Sequence, residues 1–403
     1  MSTENGSTAA SVARRSSPTL MVVVIAYIIF IFLGMPDGML GVAWPDMRGG
    51  FGVALGQMGV LLAASTTGFL ITSFSAGRLI TGLGISRLLI ITVILRGGAL
   101  VAMGLAPSWL AMIAAAFVFG LASGAIDSGL NTYFAMNFSP RLMNWLHASF
   151  GLGATIGPII MTTLLSMGLA WRWGYVIVGV LQASLAILIF VRADAWELRT
   201  VDQADGTAHK LQKVSYAATL RRPLVWLNIT IFFLTAGMEA TAGNWSYTIF
   251  TESRGIPVTT AGYWVSIYWG SFTLGRIVFG FVADRFSANN ASRAMIAASG
   301  VGALLFWWNP ADIVSFLALA LMGFAMAPIF PLLTSITPGR LGVADATNAI
   351  GFQVAAASIG IAVLPGLAGA LAERTTLEAI PPFMVVTFIL LFTLNEVASR
   401  RHG

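Results

Sequence analysis

The 403-residue sequence has no cysteine, which excludes disulfides and thiolate metal sites. Its three histidines, His147, His209 and His402, are too scattered for a zinc centre, so no metal or other cofactor is expected. Charge is equally scarce: 22 Lys and Arg with 16 Asp and Glu make up 9% of the chain, against about a quarter in soluble domains. A soluble chain of this length would fold into two or three wetted domains, and there is too little charge to cover them. There is no Gly-x-x-x-x-Gly-Lys-Ser/Thr phosphate loop, hence no sign of an ATPase.

What is present is apolar: 57% of the residues are hydrophobic. Apolar runs cover 20–36, 49–77, 88–106, 109–136, 142–171, 173–191, 223–238, 255–275, 294–311, 313–339, 346–372 and 379–395, which predicts twelve transmembrane helices. Twelve spans of about 20 residues use roughly 240 and leave short loops, so no large extramembrane catalytic domain, and no enzyme, is expected. The 43 glycines suit helices that pack closely in lipid. The polar residues 1–18 predict a disordered tail. The first apolar run is long and no small-residue cleavage pattern follows it, so it is expected to remain as a span.

With the N-terminus inside, fifteen Lys and Arg fall on inner segments and four, Arg48, Arg172, Arg254 and Arg374, on outer loops. That asymmetry places both termini in the cytoplasm. It also accounts for the net charge of +6 without nucleic acid. The expected setting is the cell membrane, with lipid as the surroundings and a monomer as the working unit. The one long loop, mixed in charge, falls at mid-chain and predicts a solvated linker over 193–222, between six-helix halves at 19–192 and 223–397; 398–403 form a second tail.

The halves resemble each other. Gly77-Arg78-x-x-x-Gly82-x-x-x-Ser86-Arg87 recurs as Gly275-Arg276-x-x-x-Gly280-x-x-x-Asp284-Arg285, an offset of 198 residues. Met35-Pro36-Asp37-x-x-x-Gly41 pairs with Gly237-Met238-Glu239-x-x-x-Gly243 at 202, and Arg141-Leu142 with Arg340-Leu341 at 199. A nearly constant offset means parallel repeats, which rock about a site near the bilayer midplane.

On these residues the chain resembles the major facilitator superfamily. The superfamily signature between spans 2 and 3, Gly-x-x-x-Asp-Arg/Lys-x-Gly, matches Gly280, Asp284 and Arg285, with Ser287 for the last glycine; in the first half Ser86 replaces the Asp while Gly82 and Arg87 remain. Trp171-Arg172-Trp173 and Gly153-x-x-x-Gly157-Pro158 are similar as well. The resemblance implies an all-α membrane protein of twelve helices in two parallel six-helix repeats, the major facilitator fold. It also implies a cavity lined by spans 1, 4, 7 and 10.

Four charges fall within or at the edge of spans: Asp37 (span 1), Arg96 (span 3), Asp127 (span 4) and Glu239 (span 7). An ionisable group at mid-membrane costs at least about 2.5–3.5 kcal/mol and marks function by default. Arg96 could instead neutralise Asp127 from the adjacent helix. Carboxylates that alternate between dry and wet surroundings can bind and release protons, which makes Asp37, Asp127 and Glu239 the proton-coupling candidates. In span 4, Gly120, Ser123, Gly124, Asp127, Ser128 and Asn131 fall on one face; such a face can also serve packing. Asn144 and His147 share a face of span 5. Of Asn348 and Gln353 in span 11, the deeper Gln353 is expected to face the cavity. Asn244 and Trp245 follow Glu239, and Trp264 and Trp269 lie on span 8, where indoles stack on sugars or anchor at the interface. Pro328 and Pro331 should break span 10.

Within the superfamily, Asp37, the run Gly124-Ala-Ile-Asp127-Ser-Gly-Leu-Asn131, Gly237-Met-Glu239 with Trp245, and Ala327-Pro328-Ile-Phe-Pro331 are most similar to the fucose–proton symporter family. That resemblance implies sugar and proton roles for Asp37 and Asp127, although the family has glutamate where Asp127 stands. The expected function is proton-coupled symport of a neutral sugar or similar small polar solute. Asp37, Asp127, Asn131, Asn144, His147, Trp245 and Gln353 would bind the solute. Gly82, Arg87, Gly280, Asp284 and Arg285 would form the conformational loops. The alternatives are a proton-driven antiporter exporting amphipathic compounds, since Gly153-x-x-x-Gly157-Pro158 also resembles an exporter motif, and a non-transporting receptor or lipid-handling protein.

Overall fold

The computed structural model describes residues 20–193, 196, 215–282 and 285–400. Among them lie fourteen α-helices. The first half holds α1 (Leu20–Phe51), α2 (Gln57–Leu83), α3 (Ile85–Leu105), α4 (Trp109–Asn137), α5 (Pro140–Ser166) and α6 (Arg172–Val191). The short α7 (Tyr216–Leu220) precedes α8 (Pro223–Thr248), α9 (Val258–Val282), α10 (Ala288–Trp308), α11 (Asp312–Met326), α12 (Ile329–Leu341), α13 (Val343–Arg374) and α14 (Ile380–Arg400). Eleven helices are long and apolar enough to cross a membrane, with α11 and α12 together making one of them. The twelfth span is α10, whose first turns carry Asn289, Asn290 and Arg293. The break between α11 and α12 falls at Ala327-Pro328, as expected of a residue with no N–H for the helical ladder.

The packing repeats with the sequence. α1 lies on α5 as α8 lies on α13; α2 lies on α4 as α9 on α11; α3 lies on α6 as α10 on α14. Glycines allow the tightest crossings. A Cβ on Gly153 would sit 1.9 Å from the Ile31 carbonyl oxygen, one on Gly157 2.1 Å from that of Met35, and one on Gly34 2.1 Å from that of Phe150. The Gly153-x-x-x-Gly157 element therefore seats α5 on α1. The equivalent crossing uses Gly360, whose Cβ would lie 2.1 Å from the Phe233 carbonyl. In α4, Gly120 and Gly124 face α2 in the same way, 1.9 Å from the Ser65 carbonyl and 2.3 Å from that of Phe69. The small-residue side of α4 is thus a packing face at those two positions.

The halves meet along α1–α8, α2–α13 and α5–α9. We call the end of the bundle that carries Leu20 and Arg400 the terminal end and the other the distal end. The three hydrogen bonds joining the halves among the described residues all lie distally. The Arg48 guanidinium donates to both Glu252 carboxylate oxygens at 2.7 and 2.5 Å, and the Gly56 N–H donates to Glu373 at 3.4 Å. Glycine meets glycine beside them: a Cβ on Gly59 would lie 2.6 Å from Gly366 Cα, and one on Gly41 2.6 Å from the Gly243 carbonyl. At the terminal end Gly77, Gly82, Gly280 and Gly351 have nothing within 4 Å of a Cβ.

Both edges of the mid-chain loop are anchored, and most of the linker expected over 193–222 lies outside the described residues. Trp196 is buried with its ring 5.2 Å from Tyr133. At the far edge Thr219 donates to Asp345 at 2.6 Å, and Arg222 donates to Asp345 and to the Leu341 carbonyl, the latter at 2.5 Å. The tail 1–18 and Asp284 lie outside the described residues.

Candidate functional site: a polar cavity between the halves

Asp37 and Glu239 sit near the middles of α1 and α8, the equivalent first helices of the two repeats. Both line one cavity of about 340 Å³ between the halves, the lower part of the range for small-ligand sites, about 300–1,000 Å³. The Asp37 side chain is exposed into it. One turn distal to these carboxylates the two helices touch, where a Cβ on Gly41 would lie 2.6 Å from the Gly243 carbonyl. Arg276 of α9, Tyr175 of α6, Asn244 of α8 and Trp269 of α9 complete the polar wall; Leu40, Phe69, Phe119, Phe150, Phe330 and Ile361 are among its apolar residues.

Four of the lining polar residues hold buried atoms without a hydrogen-bond partner: the Tyr175 hydroxyl, the Asn244 Oδ1, the Trp269 Nε1 and the Arg276 Nε. Such an atom costs about 1–3 kcal/mol if nothing answers it, so one cavity lined by four residues that hold them is built for a polar guest or for water. Asn244 is held in place by its own amide, which donates to the Ala240 carbonyl at 2.8 Å. Tyr268 donates to the Glu239 backbone carbonyl at 2.9 Å and fixes that turn of α8.

Arg96 does not pair with Asp127, the alternative left open for it. Its Nε donates to Ser123 at 2.8 Å, and its terminal nitrogens donate to Gln182 at 2.5 Å and to the carbonyls of Phe32 and Leu33 at 3.0 and 2.8 Å. Pro36 explains that choice. With no N–H on residue 36, the Phe32 carbonyl loses its helical partner, and the guanidinium takes its place while lying 4.4 Å over the Phe119 ring. Arg96 thereby braces the Pro36 turn of α1 beside Asp37, and Asp37 is the carboxylate its charge acts on. The four ion pairs among the described residues all sit at helix ends, so no carboxylate directly pairs with Arg96 or Arg276.

Several expected solute ligands lie elsewhere. Asp127 is hydrogen-bonded to Asn131, and neither lines the cavity; Asp127 is about 12 Å along the axis from Phe119, toward the terminal end. Asn144 is exposed on α5. His147 packs edge-on against Phe30 at 5.8 Å. Trp245 is fully buried, donates from Nε1 to the Pro365 carbonyl at 2.9 Å and packs on Gly369, so it is a core residue of the second half. Gln353 does not face the cavity; it is buried and accepts from Thr337 at 3.2 Å. The residues of α13 that do face it are Val354, Ala357, Ser358 and Ile361. Gly82 and Gly280 end their helices at the terminal end, beside exposed Arg87 and Arg285.

Two cavity residues were not marked by the sequence reading. Arg276 matched the repeat as a loop residue, yet α9 continues for six more residues to Val282; the uncharged run Ile277–Val282 was the signal. Its repeat partner Arg78 is exposed. Tyr175 follows a superfamily-like Trp-Arg-Trp and carries no signal of its own.

The sequence profile of the Major Facilitator Superfamily matches residues 26–340 and again 227–400. The chain belongs to the major facilitator superfamily. It is a multi-pass membrane transporter of that family. The glucose/mannose transporter GlcP of Bacillus subtilis is 24% identical over 299 residues, covering 71% of this chain and 72% of its own. Among solved structures, a bacterial homologue of the human lysosomal transporter Spinster, in an inward-facing and unoccupied conformation, superposes with a TM-score of 0.77 at 13% identity, covering 96% and 98% of the two chains. The fucose:proton symporter FucP of E. coli superposes at 0.62, with 16% identity and coverage of 95% and 99%. These structural likenesses establish the fold.

Proposed function

We propose that this transporter is a proton-coupled symporter of a small polyhydroxylated solute, a sugar or close relative, working by alternating access in the cell membrane with both termini in the cytoplasm. The observation that carries the reading is the cavity itself: two carboxylates at equivalent repeat positions share a ligand-sized space with four residues that hold unanswered hydrogen-bonding atoms. Hydroxyl groups are both donors and acceptors, so one polyol could satisfy Tyr175, Asn244 and the carboxylates together, with an apolar sugar face against Trp269. The name of the Bacillus relative GlcP supports a sugar.

In this orientation the distal closure is extracellular and the cavity opens inward. Asp37 and Glu239 take up protons where they meet the solute, and Asp127 with Asn131 serves proton release on the cytoplasmic side. The protein works as a monomer, since the cavity is complete within one chain.

Proteoliposomes with an inward proton gradient test the reading. Labelled sugars should accumulate in wild type, and the accumulation should be lost in Asp37→Asn and Asp127→Asn. Uptake indifferent to the gradient and to both substitutions would overturn it, as would gradient-driven exit of amphipathic cations.

A further inference from the structure

Arg276 is the one basic side chain among the described residues lining the cavity, and nothing in the neutral-sugar expectation uses it. It differs from Arg96, whose donors are spent on Ser123, Gln182 and two carbonyls. The Arg276 guanidinium lies 4.6 Å over the Phe272 ring, which fixes its plane, and its Nε is buried without a hydrogen-bond partner. Neither Asp37 nor Glu239 comes within ion-pair distance of it, since the ion pairs of the described residues involve other groups. A guanidinium cannot lose its proton in a protein, and its strongest partner is a carboxylate or phosphate bound through two parallel N–H bonds. Asn244 and Trp269, on the same wall, leave one acceptor and one donor free beside it.

We propose that Arg276 is the specificity-determining residue of the cavity and that the carried solute is a sugar acid or similar hydroxy acid, whose carboxylate docks on Arg276 while its hydroxyls reach Asn244, Trp269, Tyr175 and Asp37. The cavity volume of about 340 Å³ leaves room for one sugar ring with a carboxylate. This rests on the symporter reading and replaces its neutral solute with an anionic one. Charge balance then differs: a monoanion entering with one proton carries no net charge, whereas a neutral sugar with one proton carries one.

The test compares D-glucose with D-glucuronate, which share a ring and differ at one carbon, in proteoliposomes under an inward proton gradient. Glucuronate should accumulate and glucose should compete at least tenfold more weakly. Arg276→Gln should lower glucuronate uptake at least tenfold, and Arg276→Lys, which keeps the charge but not the fork, should fall between. Uptake should be unchanged by an imposed potassium-diffusion potential. Intrinsic tryptophan fluorescence in detergent, with Trp269→Phe as the reference for that indole among the twelve, reads glucuronate binding separately from the proton step, and should respond in wild type and Arg276→Lys but not in Arg276→Gln. Glucose accumulation equal to glucuronate and untouched by Arg276→Gln would overturn the inference while leaving proton symport intact. Gradient-driven uptake of neither solute by wild type would contradict both.

Discussion

Replacing Gly59 by leucine should prop open the distal end. In the closed contact a Cβ on Gly59 would already sit 2.6 Å from Gly366 Cα, about 0.8 Å inside an ordinary tight approach, and a leucine adds three more carbons beyond it. Overpacking of this kind costs about 1–3 kcal/mol, and each 1.4 kcal/mol is a factor of ten in a two-state equilibrium. The distally closed state should therefore lose about 5- to 150-fold in population to a distally open one. The Arg48–Glu252 pair opposes that shift weakly. Its side chains are 27% and 31% exposed, and an exposed pair contributes about 0–1 kcal/mol. Because the chain has no cysteine, two can be introduced cleanly. Spin labels at Ala54→Cys and Thr376→Cys, exposed positions on opposite halves at the distal end, should report a longer and broader distance distribution in the Gly59→Leu background. Gly77→Leu is the control, since nothing lies within 4 Å of a Cβ there. An unchanged distribution in Gly59→Leu, or an equal change in Gly77→Leu, would refute the glycine closure.

Arg96→Met should lower stability in detergent by about 2–4 kcal/mol, because it strands two carbonyls, a serine and a glutamine; Pro36→Ala, which restores an N–H to the Phe32 carbonyl, should recover part of the loss in the double variant's melting curve. Trp245→Phe should reduce stability by about 1 kcal/mol through the lost bond to Pro365 and leave apparent solute affinity unchanged. Trp269→Phe should do the reverse, since its Nε1 has no partner to lose; paired melting and uptake measurements separate the two. The hydrogen bonds from Thr219 and then Arg222 hold the Asp345 carboxyl below its ordinary range. A depressed folded-state pKa contributes stability above the unfolded value and loses it as pH falls through the folded value. The melting difference between wild type and Asp345→Asn should therefore be full at pH 7 and shrink below about pH 4.

Much of the architecture was legible in the sequence because lipid leaves few solutions: apolar runs must be helices, and the near-constant repeat offset requires parallel halves. Pro328 broke its helix where expected. Asp37 and Glu239 could be found because a carboxylate inside an apolar run stands out and the two match across the repeat. The rest depended on rotation about helix axes, which sequence spacing sets only within a helix. Gln353 and Val354 are neighbours in sequence, and the apolar one faces the cavity. Trp245 and Trp269 are both plausible stacking residues until the Pro365 carbonyl claims one. Arg96 looked like a partner for Asp127 because the vacancy created by Pro36 lies on α1, a helix remote in sequence from both. Arg276 was hidden by its own repeat match, since Arg78 at the equivalent position is exposed.

The most direct test of the central claim separates exchange from accumulation. In proteoliposomes, Glu239→Gln and Asp37→Asn should both abolish accumulation driven by a proton gradient, while Glu239→Gln still exchanges internal for external labelled solute with no gradient. Gradient-driven accumulation at the wild-type level in either variant would contradict proton coupling through the paired cavity carboxylates.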